Sequence, residues 1–468
     1  MIHELTALLE KHGFSLYPQS LRTVSDGTRL FVAARDGRKA VGVIQSRKTL
    51  ELSALVLQVV KLPSGDSVSL HALTWENYQE LKATAPISPS PCDRKASFGT
   101  GDRLGLVSAA HLDVLRRYPV FPVPAQQSPR ELMRTERDFQ DVLLKAVMGV
   151  LESGYTGKFG ADADHIKDEE YLMMGARAGY SMYTLDVSDW LQDPDASSAD
   201  RLSPLSRSIV AESGQMKVSG APISEQELLK SALIYENAME QIKHSNDLVK
   251  GIIPAFDLEV SIDEGSRDTS VEDHLFVAEY LHRSGIGFSS LAPKFPGQFQ
   301  KGVDYEGNVD SLAESLRAHA ALCRQMGGYR LSLHSGSDKF SIYRLFSEAT
   351  GGNFHIKTSG TSWLQAVKVI ASANAPLFRE LYGLCLEYLD ESKKAYHVSI
   401  AKEHFPAAPP DDLPGFFADP NVRQLFHISY GVLLDNKRSR IYETLHRHES
   451  EHYAFVSEHM EAHLKLLF

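Results

Sequence analysis

The chain has 468 residues, of which 43% are hydrophobic and 23% are charged. This length allows about two to four domains or one large barrel with additions, and the composition excludes a disordered or fibrous protein. Forty-nine basic and 60 acidic residues give a net charge of −11, which argues against nucleic acid or a membrane as a partner. The three cysteines are far apart, and neither a signal-peptide pattern nor an apolar run of about 20 residues is present. We therefore expect a cytoplasmic protein without disulfides.

Residues 1–95 are predicted to form a small α+β domain. Short β-type runs at residues 30–34, 40–45 and 55–62 are separated by glycine-containing turn signals. The proline-rich stretch at residues 86–91 is the predicted domain boundary.

Residues 96–374 repeat a short apolar run followed by a helical pattern eight times. The runs are residues 97–104, 120–126, 157–165, 181–186, 255–261, 287–293, 329–334 and 353–358. Strands that alternate with helices indicate a parallel sheet, and eight such units favour a TIM (β/α)8-type barrel over an open Rossmann-like sheet. Residues 375–468 are predicted to form a mostly helical extension, with a long terminal helix from about residue 439.

Four polar residues lie at the ends of alternate predicted strands, where a TIM barrel builds its active site. They are Asp102, His165, Glu259 and His334, from runs one, three, five and seven. Two imidazoles beside carboxylates can hold Zn²⁺, Mn²⁺, Co²⁺ or Ni²⁺ with one position left open. A hydrogen-bonded structural role is the alternative for any single histidine, but several histidines at strand ends favour a metal site.

Four lysines are predicted at the same end of the barrel: Lys167, Lys294, Lys339 and Lys357. In an acidic protein, such a cluster suggests an anionic substrate. The hydroxyl-rich segment 358–362 could present backbone amides to a carboxylate or phosphate. A solvated rim with ordinary turn residues is the alternative.

A second motif suggests a different class of enzyme. His448, Glu449 and His452 match the H-E-x-x-H pattern of zinc peptidases. The surrounding helix is rich in charged residues, as a solvated face would be, and few residues remain after it to supply a third ligand. A metallopeptidase is therefore kept only as an alternative.

Four segments resemble the tagaturonate/fructuronate epimerase family, some members of which are used as ketohexose 4-epimerases. They read FGADADH at 159–165, LHSGSDKF at 333–340, HIKTSGTS at 355–362 and HISYG at 427–431. The resemblance implies a divalent-metal-dependent enzyme that interconverts D-tagaturonate and D-fructuronate at C4, with uncharged ketohexoses as side substrates. The expected partner is therefore a small hexuronate ketose, and homo-oligomer formation stays open. A metal-dependent class II-type aldolase is the alternative within barrel enzymes.

The resemblance also implies roles for individual residues. It suggests His165, His334 and His355 as metal ligands and Asp164 with Glu259 as the acid/base pair, although Glu259 could replace His355 as the third ligand. Asp102 is a further catalytic candidate from the strand-end pattern. The candidate substrate-binding residues are Arg103, Lys167, Lys294, Ser335, Asp338, Lys339, Lys357, Thr358, Ser359, His427 and Tyr430.

The chemistry of the implied reaction sets a further expectation. In a 2-keto sugar acid the C4 hydrogen is adjacent to neither the ketone nor the carboxylate, so its removal would give an unstabilised carbanion. Cleavage of the C3–C4 bond, rotation of the aldehyde and bond formation on its other face avoid that carbanion. Transient oxidation at C4 is the competing route, but no convincing nicotinamide-binding loop is present.

Overall fold

The computed structural model describes residues 2–25, 27–46, 50–194, 200–394, 396 and 398–468. The N-terminal part contains a five-stranded antiparallel sheet in the order β1-β2-β3-β5-β4. Its elements are α1 (Ile2–Lys11), β1 (Ser15–Thr23), β2 (Arg29–Arg35), β3 (Arg38–Gln45), β4 (Leu55–Lys61), β5 (Ser67–His71) and α2 (Trp75–Leu81). The three predicted runs coincide with β2, β3 and β4, while β1 and β5 were not predicted. The domain boundary at residue 95 stays a prediction.

A parallel sheet of nine strand segments follows, in the order β7-β6-β16-β15-β14-β13-β10-β9-β8. The strands of this part are β6 (Ala96–Gly99), β7 (Val120–Val123), β8 (Ala125–Gln127), β9 (Ala161–Ile166), β10 (Met182–Asp186), the short pair β11 (Lys217–Val218) and β12 (Ala221–Pro222), β13 (Asp257–Ile262), β14 (Ser290–Pro293), β15 (Arg330–Leu333) and β16 (Phe354–Lys357). The helices are α3 (Ser108–Leu115), α4 (Pro129–Thr135), α5 (Phe139–Glu152), α6 (Glu169–Ala178), α7 (Pro204–Ser213), α8 (Glu225–Lys250), α9 (Val271–Arg283), α10 (Val309–Gln325), α11 (Tyr343–Thr350) and α12 (Thr361–Ala373).

The two ends of this sheet are consecutive in the chain, because only Pro124 separates β7 from β8. Proline has no N–H to donate to a ladder, so it interrupts the strand at this point. The second strand therefore pairs with β6 through its first half and with β9 through its second half. The result is a nearly closed eight-stranded barrel, and each of the eight predicted runs overlaps one of its strands.

Helix caps follow the chain's local signals. Ser128 accepts from the backbone of Glu131 in a capping box at the start of α4, with proline in the first turn. Just after the C-terminal end of α5, Gly154 adopts φ +65°. A Cβ at this position would lie 2.1 Å from the Gln19 carbonyl oxygen of β1. Glycine therefore lets the barrel helix approach the N-terminal sheet.

Six α-helices follow α12 in the described part of the chain, and as a group they contact the barrel helices α3, α4, α11 and α12. They are α13 (Ala375–Glu387), α14 (Leu389–Lys393), α15 (Leu413–Phe417), α16 (Pro420–Ile428), α17 (Tyr430–Arg447) and α18 (Glu449–Leu467). The helical prediction is confirmed for these residues, but not the single helix from about residue 439. His448 has non-helical angles (φ −115°, ψ 33°) and separates α17 from α18. His448 and His452 therefore do not share one regular helix, which corrects the peptidase motif. No described helix is long and apolar enough to cross a membrane.

An ion-pair cluster joins the three parts of the chain. Lys39 of β3 places its Nζ 2.7 Å from Glu152 Oε2 at the end of α5 and 2.8 Å from Glu449 Oε1 on α18. The Lys39 ammonium also donates to Tyr453 Oη at 2.6 Å, and Tyr453 donates to Glu152 at 2.7 Å. Because the Glu152 side chain is 2% exposed, its charge depends on this single lysine.

Lys39→Met is expected to lower the free energy of unfolding by about 3 kcal/mol, because it leaves a buried carboxylate without its cation. Urea unfolding of the variant and the wild type measures this loss. Lys250→Met, at an exposed position at the end of α8, is the matched control and should change stability by less than about 0.5 kcal/mol. Equal stability of both variants would contradict a role of the cluster in holding the three parts together.

Candidate active site

The carboxyl ends of the barrel strands surround a buried lysine with three carboxylates. Lys357 is the last residue of β16, and its side chain is 3% exposed. Its Nζ lies 2.6 Å from Asp164 Oδ1, 2.8 Å from Asp162 Oδ2 and 2.9 Å from Glu259 Oε1. The ammonium also donates to the Thr184 hydroxyl. The Lys357 ammonium therefore contributes one positive charge to a cluster of three carboxyl groups.

This arrangement divides the protons unequally among the three acids. Burial alone would lower the pKa of Lys357, but the carboxylates raise it well above its usual value. Burial favours the neutral forms of Asp164 and Glu259, yet the Lys357 ammonium holds the pKa of both well below the usual range. Burial raises the pKa of Asp162 to about 6, because Lys357 compensates only in part there. Asp164 and Glu259 are thus ionised at neutral pH.

Two adjacent residues of β9, Asp164 and His165, face the same site because of a β-bulge. The register between β9 and β10 shifts at this point, so that both residues oppose Thr184. His165 has φ +52°, a left-handed conformation that costs a non-glycine residue energy and is found at functional sites. Its Nδ1 lies 2.6 Å from Asp164 Oδ1. Without the bulge, the alternation of a strand would send one of these side chains to the other face.

Two histidines and an aspartate form a group whose donor atoms fit a metal ion. The ligand atoms of His165, Asp263 and His334 all lie within 4.8 Å of one another. His334 Nδ1 is 3.2 Å from Asp263 Oδ1, and its Nε2 is 2.7 Å from Glu259 Oε1. The buried Nδ1 of His334 lacks a well-directed hydrogen bond. This nitrogen is therefore not committed to another side chain. Two imidazoles and a carboxylate are a donor set for a borderline divalent cation.

His355 does not join this group. It lies on β16 with its Nδ1 2.8 Å from the Ser97 hydroxyl, fully buried, and burial lowers its pKa to about 3. The third member of the group, beside His165 and His334, is Asp263 and not the expected His355. Glu259, the other candidate third ligand, bonds His334 and Lys357 instead.

Asp102 also differs from the expectation. Its carboxylate accepts hydrogen bonds from the backbone N–H groups of Leu104, Gly105 and Val107, at 3.2, 2.9 and 2.8 Å. These bonds satisfy the loop that leads into α3. The side chain therefore supports the barrel and does not reach the acid/base centre.

The centre opens into a cavity of about 550 Å³, a size typical of small-molecule sites. Of the predicted site residues, those that line it are Asp164, His165, His334, Lys357, Arg103, Lys167, Ser335 and Ser359. Those that lie outside its wall are Asp102, Glu259, His355, Lys294, Asp338, Lys339, Thr358, His427 and Tyr430.

The predicted lysines have different environments. Lys167 lines the cavity and pairs with Asp189 at 2.7 Å. Lys294 Nζ instead donates to the Gly265 carbonyl oxygen at 2.7 Å. Lys339 is buried, and its ammonium donates to three backbone carbonyls, those of Gln300, Val303 and Ser337. Lys294 and Lys339 are therefore committed to loop backbone and not to a cavity ligand.

Arg103, Thr358, His427 and Tyr430 are engaged in contacts within the protein. Arg103 is buried, pairs with Glu131 at 2.9 Å and lies 3.8 Å from the ring centroid of Tyr430. Its guanidinium also donates to the His427 carbonyl at 3.2 Å. Thr358 donates its N–H and its hydroxyl to the Gly99 carbonyl oxygen at 3.0 and 2.8 Å, so this amide is not free for an anion.

Asp338 ties the loop after β15 to the C-terminal helices. Its carboxylate lies 3.0 Å from Arg423 of α16 and 2.6 Å from His459 of α18. Its N–H donates to His463 of α18 at 3.2 Å, and its backbone has φ +57°. The residue thus holds a strained loop in place and does not bind in the cavity.

Three important residues were missed by the sequence reasoning. Asp263 directly follows β13 and lies two residues beyond the end of the predicted run at residue 261, so a slightly longer predicted strand would have included it among the strand-end residues. Asp162 alternates with Asp164 on β9 and shares its face. Lys301 lies in the loop after β14 and carries no motif; only the fold brings it to the cavity.

Comparisons with known proteins show which family the chain resembles over its whole length. A family model described as tagaturonate epimerase, UxaE, matches residues 17–467. The tagaturonate/fructuronate epimerase of Thermotoga maritima is 38% identical over 471 residues, which cover 97% of each chain. The native crystal structure of fructuronate-tagaturonate epimerase UxaE from Cohnella laeviribosi superposes with a TM-score of 0.90 at 32% identity, covering 100% of this chain and 99% of that one. Its complex with two glycerol molecules gives the same values.

The barrel and these similarities define an α/β-barrel isomerase, specifically an epimerase. The chain belongs to the tagaturonate epimerase family. The resemblance found in four sequence segments is thereby confirmed.

The raised pKa of Asp162 predicts a pH-dependent contribution to stability. Its folded-state pKa of about 6 exceeds the ordinary value of 3.8, so the folded state binds this proton more tightly than the unfolded chain. That contribution is complete below about pH 4 and is lost as the pH rises through about 6. Relative to the wild type, Asp162→Asn should therefore be less stable at pH 5 than at pH 7.5, by about 1 kcal/mol. Urea unfolding at both pH values measures this, and an equal difference at both would contradict it.

Proposed function

We propose that this epimerase interconverts D-tagaturonate and D-fructuronate by inverting C4. The observation that carries the proposal is the position of Asp164, an ionised carboxylate on the cavity wall between Lys357 and His165. Proton exchange with a sugar hydroxyl needs such a group within reach of a bound substrate. The family relatives named for these two sugar acids support the choice of substrate.

We also propose that the reaction uses a divalent cation. The donor set of His165, Asp263 and His334 supports it, since their ligand atoms converge and one buried His334 nitrogen lacks a well-directed partner. When bound, the cation would polarise the C2 ketone and stabilise negative charge next to it. The ionised Glu259 accepts a hydrogen bond from His334 Nε2 at 2.7 Å, and thereby fixes the orientation of that imidazole.

The residues of the chain support a cleavage route for the inversion. Asp164 takes the proton of the C4 hydroxyl, the C3–C4 bond breaks, and C4 becomes an aldehyde while the other fragment keeps the electron pair. The aldehyde turns, the C3–C4 bond forms again on its other face, and the C4 oxygen recovers its proton from Asp164. Lys357 keeps Asp164 ionised for the first step. Glu259 lies outside the cavity wall, so we assign it a positioning role behind His334 and Lys357.

The metal proposal predicts a ligand set that variants can separate. Asp263→Ala should lose bound metal and activity, because it removes one of three donors. His355→Ala should keep the metal stoichiometry of the wild type, since His355 bonds Ser97 and not this group. Metal content by mass spectrometry and epimerase rates after chelation measure both. His448→Ala with His452→Ala is the control outside the site, and full activity after exhaustive removal of metal would contradict the proposal.

The cleavage route predicts where solvent hydrogen goes. Turnover of D-fructuronate in D₂O should put no deuterium on C4, because the C4 hydrogen stays on its carbon throughout. Asp164→Asn should lower turnover in both directions by at least about 100-fold, as expected when a general base is removed. Stoichiometric deuterium at C4, detected by NMR, would contradict the route. Accumulation of free three-carbon products would indicate an aldolase instead.

A further inference from the structure

We propose that Lys301 binds the carboxylate of the sugar acid and so sets the preference for a uronate over an uncharged ketose. This inference rests on the proposed function. It assigns the anion-binding role to a lysine outside the four that the sequence pattern selected.

The cations on the cavity wall differ in whether a carboxylate pairs with them. Arg103 is paired with Glu131, and Lys357 with three carboxylates. Lys167 is paired with Asp189. Lys301 also lines the cavity, but its ammonium donates to an uncharged group, the Ser335 hydroxyl at 2.9 Å, and no carboxylate pairs with it among the described residues. Its charge is therefore available to an anionic ligand.

Hydrogen bonds fix the backbone around Lys301 on both sides. The buried Lys339 ammonium donates to the carbonyls of Gln300 and Val303, at 2.9 and 2.6 Å. Gln424 of α16 donates to the carbonyl of Lys301 itself at 3.1 Å. A cation on a segment held in this way loses little further freedom when it binds a ligand. Lys339, which the sequence suggested as an anion-binding residue, acts here as a positioning residue for Lys301.

Ser335, the neighbour of Lys301 in the cavity, offers a second hydrogen-bond donor. Ser335 directly follows His334 and has φ +50°, which turns the chain at the edge of the proposed metal group. The Lys301–Ser335 contact therefore puts an ammonium and a hydroxyl side by side next to His334. A carboxylate can accept a hydrogen bond from each, and the bond to the ammonium is charge-assisted.

The position also has a chemical consequence for the cleavage route. The carboxylate belongs to the fragment that contains C4, which becomes an aldehyde and must turn without leaving. Contact with Lys301 would retain this fragment while its aldehyde rotates. Loss of the contact should therefore both weaken uronate recognition and let the aldehyde acid escape.

The test compares a charged with an uncharged substrate. For the metal-loaded enzyme, kcat/KM is measured with D-fructuronate and with D-fructose, and the ratio of the two is the readout. Lys301→Met should lower this ratio about 10- to 100-fold, the range expected for one charge-assisted hydrogen bond, while Lys301→Arg should restore most of it. Lys250→Met, on the surface of α8, should leave the ratio within about twofold.

A second readout covers the case in which D-fructose turns over too slowly. D-gluconate and D-glucitol serve as competitive inhibitors of D-fructuronate turnover, and Lys301→Met should raise the inhibition constant of the acid only. Lys301→Met should also release more free three-carbon aldehyde per turnover than the wild type. A merely structural role of Lys301 would weaken both inhibitors alike.

The outcomes separate this inference from the function on which it rests. If the wild type does not epimerise D-fructuronate, the proposed function fails. If it does, and Lys301→Met keeps the wild-type ratio and inhibitor preference, the inference about Lys301 alone is overturned. It is also overturned if Lys394→Met, at an exposed position on the same cavity wall, lowers the ratio as much as Lys301→Met.

Discussion

The contact of the Lys357 ammonium with three buried carboxylates is the interaction on which the site depends. Taking three negative charges out of water would be prohibitive without a cation between them. With it, Asp164 and Glu259 stay ionised while Asp162 retains a higher pKa. Each ionised acid then faces a different partner, Asp164 the cavity and Glu259 the imidazole of His334. A single lysine at the end of the last barrel strand thus links substrate chemistry to the orientation of a proposed metal ligand.

The barrel could be predicted from the sequence because its strands are short apolar runs that end in polar residues. His165 and His334 were found for the same reason, since both stand at strand ends that meet in space. The direction of a side chain after the strand end could not be predicted. Asp102 turns back to cap its own loop, and Lys339 turns inward to backbone carbonyls. Both follow strands just as the site residues do, and only loop geometry distinguishes them.

The bulge in β9 is a second limit of sequence reasoning. A period of two residues places Asp162 and Asp164 on one face and would send His165 to the other. The extra residue and the left-handed backbone of His165 override this period. The bulge could not be predicted from the composition of the run, because residues 161–166 contain no glycine. The alternation of side chains along a strand therefore does not predict that the adjacent residues Asp164 and His165 face the same site.

The attachment of Asp338 to α16 and α18 bears on how the enzyme matures. The loop that carries His334 and Ser335 is supported by residues of α16 and α18, which follow the barrel in sequence: Arg423, His459 and His463. Domains generally fold as units, and the N-terminal part of a chain is synthesised first. All eight barrel strands are therefore synthesised before α18, the helix that contacts the loop after β15. A nascent chain that stops before α18 would therefore contain all eight strands but lack the contacts of Asp338 with His459 and His463.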